Sequence, residues 1–107
     1  MTIRYTPAAR DDLRAVKAWI IGEFGDAAVA DKAVVDIIKG IAVLKRNPQL
    51  ARPLQDKVRR KTPYKYILCG KYSIAILRIE AELTSVIRIL DTRTDYIRTI
   101  FGDRPSP

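Results

Sequence analysis

The residues of this chain best placed to do chemistry are its cations. Between positions 45 and 71 stand nine basic residues, Lys45, Arg46, Arg52, Lys57, Arg59, Arg60, Lys61, Lys65 and Lys71, against the single Asp56. Residues 1–44 hold six basic and six acidic residues and residues 72–107 hold five of each, so the whole net charge of +8 lies in one quarter of the chain. Cations interleaved with Tyr64 and Tyr66 suit phosphates and stacked bases, and they attract an acidic peptide equally well. Lys57, Arg59, Arg60, Lys61, Lys65 and Lys71 are therefore candidate contacts to a target or a nucleic acid. The plainer reading of the same run is a solvated loop, with the tyrosines packing a sheet face.

Histidine is absent. A Ser-His-Asp or Cys-His nucleophile, a His-ligated zinc and an imidazole base are thereby excluded within this chain, and proton transfer is left to Lys, Arg and Tyr. Cys69 is the only cysteine, so no internal disulfide can form, and it reads as a small buried strand residue. No metal or other cofactor is expected.

The elements that position these groups follow from periodicity. A length of 107 residues with 48% hydrophobic and 30% charged residues fits one globular domain spanning 1–107. No apolar run reaches the roughly 18 residues of a membrane span, and the opening residues lack a secretory core, so a soluble cytoplasmic protein is expected. Ile3 and Tyr5 predict a short strand. Thr6-Pro7 predicts an N-cap and first helical residue, followed by Ala9, Leu13, Val16, Ile20 and Phe24 on one face, widened by Trp19, with Asp11 and Asp12 in the first turn. Gly22 and Gly25 end this helix. Asp26 caps a second one, whose Ala30, Val34, Ile37, Ile41 and Leu44 form its stripe until Asn47-Pro48.

Residues Pro53 to Pro63 lack a period and read as a surface loop. Tyr64 to Cys69, Tyr72 to Ile79 and Leu83 to Leu90 then alternate with period two, which predicts a three-stranded meander, its middle strand apolar at both parities through Ile74, Ala75, Ile76 and Leu77. Asp91 to Phe101 reads as a short helix and residues 103–107 as a frayed tail. The expected fold is α+β, a two-layer sandwich: an N-terminal strand, an antiparallel helical hairpin packed on an antiparallel sheet of about four strands, and a short C-terminal helix. The second sheet face is expected to be open.

Four segments together resemble the RelE/ParE superfamily of type II toxin-antitoxin toxins, also called plasmid stabilization proteins. They are Tyr5 to Leu13, Ile41 to Pro48 with Arg52-Pro-Leu54, Tyr66 to Tyr72, and Val86 to Tyr96. The resemblance implies a growth-inhibiting toxin neutralised by a cognate antitoxin whose flexible segment wraps it. It leaves two mechanisms open. A ParE-like toxin poisons DNA gyrase and is not an enzyme, whereas a RelE-like toxin cleaves mRNA in the ribosomal A site.

Cleavage by 2′-OH attack needs a base, cations for the phosphorane and a proton donor. By resemblance Arg93 stands where the superfamily has a basic residue after the last strand, and Tyr96 is the nearest candidate proton donor or stacking ring. Arg93 would otherwise pair with Asp91 or Asp95, and Tyr96 would pack the terminal helix on the sheet. The RNA-cleaving branch places its tyrosine later, where this chain has Thr99 or Phe101, and commonly carries an arginine after the aromatic of the middle strand, where Tyr72 is followed by Ser73. Together with the long paired helices, these departures favour the ParE-like branch. A non-toxic basic nucleic-acid-binding module is the third reading. A homodimer or a toxin-antitoxin heterotetramer is compatible with the exposed sheet edges.

Overall fold

The computed structural model describes residues 1–102; the tail expected at 103–107 lies outside the described residues. Strand β1 (Thr2–Tyr5) leads into α1 (Pro7–Phe24) and α2 (Ala27–Ala42), then β2 (Arg52–Pro53), α3 (Leu54–Val58), β3 (Lys65–Cys69), β4 (Ser73–Glu80), β5 (Leu83–Asp91) and α4 (Tyr96–Phe101). The helix ends are set by the residues the sequence offers. The Thr6 hydroxyl accepts from the Ala9 N–H, Pro7 is the first helical residue, Gly25 closes α1 at φ 63°, and the Asp26 carboxylate accepts from the Ala28 and Val29 N–H groups.

The sheet runs β1-β5-β4-β3-β2, with β1 parallel to β5 and every other pairing antiparallel. It is thus mixed and five-stranded rather than antiparallel throughout. The cause is that α1 carries the chain back over the sheet before the meander begins, so the first strand meets the last in the same direction. One bulge interrupts the meander: Ile76 faces Arg88 while Leu77 faces Val86, leaving Ile87 as the extra residue. That residue keeps Val86 and Ile89 on the same face although they are three apart.

The helical hairpin covers one face. Ala9, Ile37, Ile41 and Leu44 pack against Ile67, Cys69, Ala75, Leu77, Val86 and Ile89. The approach of α2 is close because residue 40 is glycine: a Cβ there would meet the Cys69 Cβ at 3.0 Å. Burial pushes the Cys69 thiol up to about 12. On the edge of β5 left free beyond β1, the Thr6 hydroxyl donates to the Ile87 carbonyl at 2.8 Å, and Asp12 accepts from the Ile89 N–H at 2.9 Å while holding Arg88 in a two-pronged ion pair at 2.7 and 2.9 Å. The expectation for Asp11 and Asp12 is corrected here. They lie in the second turn, where Asp11 pairs with Arg14 and Asp12 bridges to the sheet.

Three further expectations are revised. Residues 53–63 are not simply a loop, because Leu54 is fully buried and nucleates α3. The second sheet face is not open: Leu54, Ile74 and Ile76 are covered by Val58, Tyr64, Tyr66, Tyr96, Ile100 and Phe101 from α3, α4 and their surroundings. The α1 stripe holds through Ile20, but Trp19 and Phe24 face solvent, 53% and 66% exposed. The middle strand, β4, is buried on both faces as its parity requires.

Candidate functional site

The basic segment unfolds along one side of the sheet. Arg59 ends α3 in the left-handed region at φ 53°, with its N–H donating to Gln55. That reversal sends Arg59, Arg60 and Lys61 into solvent. None of the nine cations between 45 and 71 forms an ion pair among the described residues. Aromatic rings take the place of carboxylates. Arg60 lies 4.5 Å above the Phe101 ring, Lys57 5.6 Å above Tyr66 and Lys71 5.4 Å above Tyr72.

The predicted site residues divide. Lys57 and Lys71 line one cavity of about 290 Å³ with Leu68, Tyr72, Ser73 and Thr92. Arg93 joins this group through Tyr72, its guanidinium 4.1 Å from that ring and 6.0 Å from Trp19. Arg60 belongs instead to the terminal helix, and Lys65 projects from β3 beside the edge strand. Tyr96 packs into the second cluster, its backbone at the start of α4, whose N-cap Asp95 accepts from Arg98.

Arg93 is fixed rather than free. Its Nε and Nη2 donate to the two oxygens of Asp91 at 3.0 and 2.7 Å, and its backbone N–H donates to Asp91 Oδ1 at 2.8 Å. Hydrogen bonding to Arg93 holds the Asp91 carboxyl below the ordinary carboxylate range, and the same bonds raise the Arg93 guanidinium. A guanidinium so engaged can stack and orient but has already committed one face of its fork.

A second concavity, about 590 Å³, opens between the end of α2 and the sheet edge, lined by Gly40, Val43, Leu50, Arg52, Tyr66, Ile67 and Leu68. Because β2 pairs only with Tyr66 and Lys65, residues 67–69 of β3 have no strand on their outer side among the described residues. Leu50 and Leu68 are exposed there.

Sequence reasoning missed Phe24, Leu50, Leu68 and Thr92 as surface groups and left Trp19 between core and hairpin surface. For Leu68 the signal was available: alternation with buried Ile67 and Cys69 turns it to the opposite face. For Phe24 there was none, because helical periodicity does not say which part of an apolar stripe is covered.

Residues 3–96 match the family described as the ParE toxin of the type II toxin-antitoxin system parDE. Two solved structures have a similar fold. The chromosomal ParDE toxin-antitoxin system from P. aeruginosa aligns with a TM-score of 0.71 at 21% identity, covering 85% of this chain and 95% of that one. The RelBE2 toxin-antitoxin complex from Mycobacterium tuberculosis aligns with a TM-score of 0.53 at 23% identity, covering 84% and 95%. No curated protein matches the chain.

Proposed function

The chain belongs to the ParE toxin family of type II toxin-antitoxin systems, and from that premise we propose that it arrests growth by poisoning DNA gyrase, without being an enzyme, and is held inactive in the cytoplasm by a cognate antitoxin. The observation that carries the mechanism is the pairing of Arg93. The cation best placed by resemblance to stabilise a phosphorane is spent on Asp91, Ser73 stands where an arginine would assist it, and Tyr96 is packed into the second cluster. This set is poorly suited to phosphoryl transfer.

The antitoxin reading is supported by the groove beside β3. An extended segment can complete the sheet along residues 67–69, direct alternate apolar side chains toward Val43 and Leu50 on one face and toward Leu68 on the other, and bring carboxylates to the unpaired cations of the basic segment. Plasmid stabilization is the role this pairing of toxin and antitoxin serves in the proposal.

Purified protein added to gyrase and relaxed plasmid should block supercoiling or accumulate cleaved DNA. Undiminished supercoiling at large molar excess overturns the gyrase target. The cavity between Lys57 and Lys71, next to Arg93, supports a second reading, ribosome-dependent mRNA cleavage. On translating ribosomes that reading requires A-site cuts that disappear in Arg93→Ala; intact mRNA removes it.

A further inference from the structure

Three stretches far apart in sequence meet at one end of the sheet: the last turns of α1, the β3–β4 turn and the residues after β5. They bring Trp19, Phe24, Tyr72 and Arg93 to a common surface. Trp19 and Phe24 meet edge to face, centroids 6.3 Å apart at 85°, and both are mostly exposed. Arg93 lies against Tyr72 and near Trp19, immobilised by Asp91. Trp, Tyr and Arg are the side chains that most often dominate protein interfaces, and a cluster already locked by stacking and an ion pair loses little further freedom on binding.

The surroundings indicate what fits. Lys57 and Lys71, without ion pairs among the described residues, border the cluster across Tyr72. A nucleic acid is disfavoured at Arg93 itself: the Asp91 carboxylate already occupies the guanidinium fork that a phosphate would need, and the guanidinium occupies a face of Tyr72 that a base would need. An apolar side chain flanked by carboxylates meets both halves of the patch, aromatic edges on one side and unpaired ammonium groups on the other.

We propose that Trp19, Phe24, Tyr72 and Arg93 are the docking hot spot through which this toxin grips an acidic protein surface of its target, on residues not shared with the groove beside β3. The proposal rests on the toxin reading above but not on gyrase being the target. Its test is growth arrest on induction, run beside the supercoiling assay, for wild type, Trp19→Ala, Trp19→Phe, Arg93→Ala, Lys71→Glu and the equally exposed helix variant Val35→Ala, with melting temperatures measured for each.

Trp19→Ala, Arg93→Ala and Lys71→Glu should each raise the toxin level needed for arrest about tenfold or more at unchanged melting temperature, with Trp19→Phe largely restored and Val35→Ala indistinguishable from wild type. Arrest retained in Trp19→Ala and Arg93→Ala overturns the hot spot. So does a pattern in which these variants keep full toxicity but escape neutralisation by a co-expressed cognate antitoxin, which would give the patch to the antitoxin. Equal losses in Trp19→Phe and Val35→Ala assign the effect to the fold and also overturn it. Wild-type arrest with unaffected gyrase removes the gyrase target alone, and a wild type that arrests nothing removes both.

Discussion

The two faces of the sheet are closed by different means. On the hairpin side, two helices of 18 and 16 residues press small and aliphatic side chains onto the sheet, close enough that a Cβ at position 40 would meet the Cys69 Cβ at 3.0 Å. On the other side, a five-residue helix supplies Leu54 and Val58 and a six-residue helix supplies Tyr96, Ile100 and Phe101 against Ile74 and Ile76, joined by Tyr64 and Tyr66, with cations stacked on Tyr66 and Phe101. Helices this short have no stability of their own in water and exist because of what they cover. The first face therefore carries the larger share of the folding free energy. The second carries cations of the basic segment that a partner meets, while the groove beside β3 and the Trp19 cluster draw on the hairpin as well.

Truncation inside the two clusters tests that division most severely. Leu77→Ala on the hairpin side should cost about 3–5 kcal/mol in urea unfolding, since long helices cannot collapse into the void. Ile76→Ala, equally buried but under the aromatic cover, should cost about 2 kcal/mol because short helices can settle inward. Equal losses would erase the distinction. Gly40→Val is next: its Cβ already meets Cys69 at 3.0 Å, and overpacking of this kind costs about 1–3 kcal/mol, with the Cys69 thiol becoming open to alkylation that burial prevents in the parent.

On the partner side, reversing charge at Arg59, Arg60 and Lys61 should change stability by no more than about 0.5 kcal/mol per site while weakening capture by an acidic partner. A large loss of stability there would show that the basic turn belongs to the fold. The smallest effect is acid titration of the Asp91–Arg93 pair. Because the Asp91 carboxyl is depressed by Arg93, its contribution is complete above the ordinary carboxylate range and is lost as pH falls through the depressed value. Fluorescence of Trp19, the single tryptophan and 6.0 Å from Arg93, should stay flat from pH 8 to 5 and change only in strong acid.

What could be read from the sequence was whatever periodicity or capping encodes. Thr6-Pro7 and Gly25-Asp26 gave the helix ends, and the double parity of Ile74 to Leu77 gave the buried middle strand. Invisible were the features that depend on distant partners. Leu54 looks like any residue in a basic loop until it lies under Ile74 and Ile76, and nothing near Asp12 announces Arg88, 76 residues away. The candidate site was half legible. Cation positions stood out, and pairing with Asp91 was among the alternatives for Arg93, but its stacking on Tyr72 and Trp19 needed the fold.

The parallel seam between β1 and β5 has a consequence in time. Thr2 aligns with Leu83, and the Thr6 hydroxyl reaches the carbonyl of Ile87, 81 residues on. A ribosome delivers the chain from its first strand onward, so this edge cannot close until nearly the whole protein has been made. The α1–α2 hairpin joins neighbours and can form early, and the β3–β5 meander can pair as its strands emerge, whereas the seam must bring opposite ends of the chain together. The nascent toxin thus spends most of its synthesis with β1 lacking the strand it pairs with. Its last folding step comes when the chain is almost complete.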